Sequence, residues 1–347
     1  GYFLLGLGLF FNVVNPRSRF RKLAKMINED AVKKVASFVL VACFAAFAPS
    51  KTYAADNARN IDANHAKELS TLIIQSADGR MKPFDTVARE ILNKIHRGDT
   101  LDGLNANQAI LSMMVNAPYW RDVPIIYVGN KELKKLIGID EKAKYASYND
   151  FFASDKDGKI IYKLNKFAEA ANRKTPGERG TFDKDLQKVD ERLNILYMVF
   201  IGEVFTMFPK MDDPNNKWYG IASAMIYLPK NESEPIGRML RSYFTSVAEA
   251  TENNSWRRAN QALAEIKTYQ QEHGKAVIPG EKRVEMELFF NEYKIFESLT
   301  PIYLLAGFGL LCFVFTKMAR PKLNIKWLFG IVYGVNILAF LLHTFGI

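Results

Sequence analysis

Four stretches of the chain are apolar and carry no charge: residues 1–14 (GYFLLGLGLFFNVV), 35–50 (VASFVLVACFAAFAPS), 299–316 (LTPIYLLAGFGLLCFVFT) and 327–347 (WLFGIVYGVNILAFLLHTFGI). A membrane-crossing helix needs about 20 largely apolar residues, within a range of roughly 17–25. The last two stretches, at 18 and 21 residues, meet that length, while the second, at 16, is short. The first begins inside an apolar run at Gly1 and the last stops at Ile347 without a polar cap, so more chain is expected at both ends. Between residues 51 and 298 the pattern changes to mixed periods. Leu69–Ile74 reads as a short strand. Pro83 and Asp85 open a helix whose apolar positions Val87, Ile91, Leu92 and Ile95 share one face. Asn107 is placed to cap a helix over Ala109–Val115, stopped by Pro118. Val123–Val128 reads as a strand that Pro124 confines to its start or to an edge. Glu132–Ile137 makes one or two helical turns. Asp185–Phe208 reads as one long helix with an apolar second half, kept out of the membrane by Glu203. Further helices are expected at Pro235–Ala250, Ser255–His273 and Glu281–Glu297, with a turn at Lys156–Lys159 and loops at Lys174–Gly180 and Pro209–Lys217. The last of these helices leads into the third apolar stretch. It reads either as a stalk between domain and membrane or as a helix of the domain's own core.

The net charge is +10, from 47 Lys and Arg against 37 Asp and Glu. Its placement matters more than its size. Residues 15–34 hold seven basic residues (Arg17, Arg19, Arg21, Lys22, Lys25, Lys33, Lys34) against Glu29 and Asp30. Residues 317–326 hold Lys317, Arg320, Lys322 and Lys326 and no acid. The 51–298 region has 36 basic and 35 acidic residues and is close to neutral. Short basic loops beside membrane helices stay in the cytoplasm. That rule sets both loops inside and residues 55–298 outside, and it excludes a nucleic-acid surface on the folded part. The fold class expected is a membrane protein with about four transmembrane α-helices and a mostly α (α+β) extracytoplasmic domain between the second and third. Residues 35–54 have a second reading. Lys33 and Lys34, the apolar run and Thr52-Tyr53-Ala54-Ala55 also fit a cleavable signal peptide. A retained helix is preferred, and either reading places residue 56 onward outside the cytoplasm.

Candidate chemistry within the domain is sparse. Cys43 and Cys312, the two cysteines, both lie in apolar stretches, and no CxxC or CxxCH occurs. His65, His96 and His273 stand alone, with no second histidine or cysteine at i+3 or i+4, and are read as surface or helix-end residues, so no metal site is expected. Neither a Gly-rich phosphate loop nor a GxSxG turn is present.

Two segments carry a resemblance. Residues 79–88 read Gly79-Arg80-Met81-Lys82-Pro83-Phe84-Asp85-Thr86-Val87-Ala88. Residues 116–126 read Asn116-Ala117-Pro118-Tyr119-Trp120-Arg121-Asp122-Val123-Pro124-Ile125-Ile126. Taken singly they are turn chemistry, a helix start and a helix end with two aromatics. Together they resemble the extracytoplasmic region of cytochrome c biogenesis proteins of the fused CcsB–CcsA (ResB/CcsA, system II) type, of which this chain would be an internal fragment. The resemblance implies seven segments. Residues 1–14 are the end of a CcsB-like transmembrane helix and 15–34 a cytoplasmic basic loop. Residues 35–54 are a transmembrane helix or signal-like anchor and 55–298 a periplasmic domain. Residues 299–316 are a transmembrane helix, 317–326 a cytoplasmic loop, and 327–347 a transmembrane helix starting the CcsA-like part. It implies a bacterial cytoplasmic (inner) membrane location. The parent would be a cytochrome c synthase (haem lyase) that exports haem and attaches it to apocytochrome c at CxxCH motifs. The implied cofactor is haem, and the implied partners are the lipid bilayer, haem, apocytochrome c and the remaining CcsB and CcsA parts of the same chain.

The sequence departs from that family in two respects, the second being that the loop histidines flanking the family's tryptophan motif are missing. Trp120, Trp218, Trp256 and Trp327 do not sit in the family's W-x-x-W-x-W-D context, so no catalytic residue carries over. The cofactor-binding candidate is His343, since an ionisable residue inside an apolar helix is costly against lipid. At about 100° per residue Asn336 and His343 share a face, and Gly330 and Gly334 lie roughly opposite, where another helix could approach. His343 is read three ways: as a haem contact, as a hydrogen-bonding group in the bundle, or as an interfacial histidine. Readings from other classes are a membrane-anchored periplasmic binding or sensor module and a transporter accessory subunit. Against the sensor, the inside loops, at 20 and 10 residues, have no room for a signalling domain.

Overall fold

The computed structural model describes residues 58–154, 158–321, 324 and 326–345. The expectations for residues 1–57, including both N-terminal apolar stretches and the first basic loop, fall outside the described residues. In chain order the elements begin with α1 (Ala63–Ser70), β1 (Ile73–Gln75), β2 (Met81–Pro83), α2 (Phe84–His96), β3 (Thr100–Leu101) and β4 (Leu104–Asn105). There follow α3 (Ala106–Val115), α4 (Ala117–Trp120), β5 (Ile126–Tyr127), α5 (Lys131–Ile137), β6 (Tyr145–Ala146), β7 (Phe152–Ser154) and β8 (Ile160–Tyr162). Next come α6 (Asn165–Arg173), α7 (Thr181–Phe200), β9 (Phe208–Pro209), β10 (Trp218–Tyr219), α8 (Ile221–Tyr227), α9 (Lys230–Asn253) and α10 (Arg257–His273). The chain closes with α11 (Glu281–Tyr293), α12 (Ile295–Ala319) and α13 (Lys326–Phe345). The described strands pair only as two-stranded antiparallel ladders, so the fold is mostly helical.

Helix starts follow side-chain chemistry. Asp62 accepts from the His65 N–H at 2.8 Å and caps α1. Asn105 and Gln108 form a reciprocal capping box on α3, so that helix begins earlier than the Asn107 reading placed it. Asn130 caps α5. The expected strand over Leu69–Ile74 is split: Leu69 and Ser70 end α1, and the strand starts at Ile73. The strand expected over Val123–Val128 is confined to Ile126–Tyr127.

The long helix also differs from its expectation. α7 stops at Phe200, and Gly202 takes φ +68°, which turns the chain before the apolar run is over. Glu203 therefore lies beyond the helix. Its carboxylate accepts from the Ser223 N–H at 2.8 Å, at the N-terminus of α8, where negative charge is favoured. α9 starts at Lys230 and carries Pro235 inside its second turn, where the helix was expected to begin.

One core fills the body. α7 buries Leu186, Val189, Leu193, Leu196 and Val199 on one face, packed against α2 and α3. Phe84 stacks on Phe205 at 4.7 Å between ring centres, and Trp120 is fully buried. α9 and α10 pair and close over α1. Buried Gln270 of α10 joins the layers: its carbonyl accepts from the Ile73 N–H at 3.1 Å and its amide donates to the Ile73 and Met207 carbonyls, each at 2.9 Å. A small second cluster of Ile73, Trp218 and Val284 seats α11 on the body.

α12 is long and apolar enough to cross a membrane, and Phe329–Thr344 is a shorter apolar helix. The two pack as an antiparallel hairpin that leaves most of its apolar surface open, with Leu304 70%, Leu305 72% and Phe340 65% exposed. A surface of that kind calls for lipid or further protein around it.

Candidate functional site

The segment Gly79–Ala88 forms a hairpin turn and a helix start, as its residues predict. Gly79 takes φ +84° and donates to the Ser76 carbonyl at 2.8 Å. Ser76 and Arg80 hydrogen-bond the Asp78 carboxylate, which holds it below the usual carboxylate range, the Ser76 hydroxyl contributing most. Pro83 precedes α2, and Asp85 occupies the first turn, where a carboxylate meets the positive end of the helix.

Asp85 is 3% exposed and accepts three hydrogen bonds: from Arg89 Nε at 2.8 Å, from Asn107 Nδ2 at 2.7 Å and from Asn291 Nδ2 at 3.0 Å. Its neighbour Thr86 donates to Glu287 at 2.8 Å and accepts from Asn291 at 2.8 Å. Arg80 pairs with Glu287 at 3.3 Å. Three polar residues of the segment thus grip one face of α11, the helix that leads into α12. Beyond that grip Lys294, in the left-handed region at φ 45°, pairs with Asp99 and holds the Asp99 carboxyl below its ordinary value. No reading of the sequence joined these residues, because α11 lies some 200 positions downstream.

The segment Asn116–Ile126 is core architecture. Trp120 is fully buried, and its indole N–H donates to the Ser112 hydroxyl at 2.8 Å. Tyr119 meets it edge-on at 5.3 Å and accepts from Arg59 Nε at 3.0 Å. Trp218 and Trp256 are also buried, so none of the three body tryptophans offers a ring face to a planar ligand; Trp327, on the apolar hairpin, is 65% exposed.

His65 corrects the surface reading given to it. It lies on α1, fully buried against α9 and α10, with Nδ1 2.5 Å from Asn260 Oδ1 and Nε2 3.0 Å from the Tyr243 hydroxyl. The Trp256 ring lies 4.9 Å away. A neutral imidazole donating from Nδ1 and accepting at Nε2 satisfies both partners. Burial lowers its pKa and outweighs the opposing Asn260 hydrogen bond. His96 and His273 end α2 and α10 as expected. His96 stacks on Tyr145 at 4.2 Å, and its Nδ1 lies 3.1 Å from the Ile125 carbonyl. Among the described residues no group of three His, Cys, Asp or Glu could hold a metal ion.

His343 lies on the helical hairpin. α13 meets α12 along Phe329, Val332, Asn336, Ala339 and His343, spaced 3, 4, 3 and 4, the repeat of a coiled-coil seam. Ala306 and Ala339 are the buried small residues at its centre. The polar face is therefore the packing face. Gly330 and Gly334 look onto open space, so the neighbour that the glycine pair could admit is not α12. The His343 ring is exposed at the end of the seam, 5.4 Å from Phe296 and 6.2 Å from Tyr303. One histidine between two aromatic rings could offer a ligand one ring nitrogen and an apolar wall.

No protein-family model matches the chain. The chain is similar to Protein NrfI of Wolinella succinogenes, with 36% identity over 355 aligned residues that cover all of this chain and 38% of that protein. It thus spans under two fifths of the length of the curated relative it matches. A likeness running the whole length of this chain supports the general cytochrome c biogenesis family that the Gly79–Ala88 and Asn116–Ile126 segments resemble.

Proposed function

We propose that this chain is the central portion of a membrane factor that exports haem and attaches it to CxxCH motifs of apocytochrome c outside the bacterial cytoplasmic membrane. The whole-chain likeness to NrfI carries the reading. The Gly79–Ala88 segment, which suggested the family, also ties the folded body to the helix that leads into α12. In this reading residues 55–298 are the periplasmic domain. The basic segments 15–34 and 317–326 stay inside, and α12 and α13 cross the bilayer on either side of the second. The domain positions the haem-handling helices of the parent and contributes no catalytic residue of its own.

Haem is the cargo of such a factor. The described residues fit it at one point: His343 is the histidine that the fold leaves on an apolar helix beside two aromatic rings. Its neutral imidazole would ligate the haem iron. His65 is unsuited to that role, since both its nitrogens are engaged in a sealed core. The test is a pyridine-haem spectrum of the purified full-length protein and of His343→Ala. Loss of haem per protein in the variant is expected. An unchanged spectrum removes His343 as a ligand, and a wild-type protein that never retains haem removes the cargo.

A further inference from the structure

α11 has two opposed faces. Val284, Glu287, Leu288 and Asn291 face the body, through the Trp218 cluster and the Asp85–Thr86 grip. On the far side Met286 is 39%, Phe289 42% and Tyr293 58% exposed, with the Phe289 and Tyr293 rings 4.5 Å apart. Phe296, just past the break at Lys294, is 47% exposed. We propose that this strip lies in the headgroup layer of the bilayer, so that α11 is an interfacial helix along the membrane surface.

Continuity with α12 identifies the occupant. The uncharged run of that helix begins at Leu299, so Tyr293 and Phe296 stand directly above the hydrocarbon. The headgroup layer is about 5–7 Å deep on each side, by the difference between a core of about 30 Å and a full bilayer of about 40–45 Å. If α11 continued the axis of α12, Phe289 would stand about 15 Å above Leu299 at about 1.5 Å per residue, clear of that layer and in water. Lys294, at φ 45° and ψ 50°, breaks the helix and allows α11 to leave that axis. The grip on the other face fixes the rotation of α11, so its aromatic side cannot turn into the body. Phe and Tyr on one side with water-facing acids flanking them suit the boundary between headgroups and tails.

The inference rests on α12 spanning a membrane, which is part of the function proposed above, and is independent of haem. It is tested in the full-length protein in its native membrane by replacing Phe289, Leu304 or Ile160, one at a time, with the photo-crosslinker p-benzoylphenylalanine. The substitute keeps an aromatic ring at position 289, and intrinsic tryptophan fluorescence checks that the body stays folded. Phospholipid adducts on the intact protein are expected from positions 304 and 289. None is expected from position 160, an exposed hairpin site on the body. Lipid at 304 with a protein adduct or no adduct at 289 overturns the interfacial helix and leaves the span intact. Lipid at neither overturns both.

Discussion

The grip between Asp85 and α11 is open to a quantitative test. Asp85 takes one hydrogen bond from a guanidinium and two from side-chain amides in a nearly sealed site. Removing one partner of a buried charged network costs about 3–5 kcal/mol, because the groups left behind lose their counterpart. Asp85→Ala leaves the Asn107 amide unpaired in the core, and Arg89 retains only water. Asn291→Ala is milder, at about 1–2 kcal/mol, because Asp85 keeps two donors. At about 2–4 °C per kcal/mol for domains of roughly 150–250 residues, the expected shifts in Tm are about 6–20 °C and about 2–8 °C. The informative quantity is the double variant. Groups in contact couple by about 0.5–3 kcal/mol, so Asp85→Ala with Asn291→Ala should cost at least about 0.5 kcal/mol less than the two singles summed. The assay is thermal unfolding of the full chain in detergent, followed by tryptophan fluorescence. Trp218 reports directly, since it packs beneath α11 against Val284. Additivity within about 0.3 kcal/mol would refute the contact and detach α11 from the motif.

Three further outcomes are expected in other parts of the body. The folded pKa of His65 lies below its ordinary value, so between that depressed value and about 6.5 the unfolded chain binds more protons. Stability then falls as pH drops through this window, by at most about 1.4 kcal/mol per pH unit. His65→Gln should flatten the dependence of Tm between pH 5 and 7, and an unchanged slope would show that His65 is not the group responsible. Trp120→Phe removes the bond to Ser112 and leaves a void, costing about 1–3 kcal/mol, whereas Tyr119→Phe loses one exposed bond and should cost under about 0.5 kcal/mol. Equal effects in urea titration would contradict the core position of Trp120. Gly202→Ala must hold φ +68° and drive a Cβ into Ile221, with an expected cost of about 2–4 kcal/mol; a neutral result would deny the turn.

The sequence carried parts of this fold because some signals are local. Val87, Ile91, Leu92 and Ile95 repeat at helical spacing, and α2 lies where they place it. The start of α3 was readable but misplaced. Asn105 and Asn107 are equally good caps, and Gln108 three residues after Asn105 decides between them by closing the capping box. α7 was drawn too long because apolar residues continue to Phe208, and hydrophobicity does not register the positive φ that Gly202 permits. The partners of His65 lie 178 and 195 positions away, so no spacing rule could distinguish a sealed histidine from a surface one. On α13 the sequence showed two faces but not which of them α12 takes. The 3-4 seam that ends at His343 meets α12, and the Gly330–Gly334 face stays open to a helix other than α12.

The family-bearing segments show what pattern alone leaves open. Polar residues strung as Arg80, Asp85 and Thr86 invite the idea of a ligand cradle. In the fold each of them is spent on a neighbour in the same chain: Glu287, Asn291 and Arg89. Trp120, in the second of these segments, is spent on the core. The chemistry written into these words is intramolecular docking, which holds the body against α11, the helix that leads into α12. Under the function proposed above, a haem contact would fall on α12 or α13 and not on these two segments. On those two helices the fold leaves one imidazole exposed between Phe296 and Tyr303, at the end of the α12–α13 seam, while Asn336 donates to the Val332 carbonyl of its own helix.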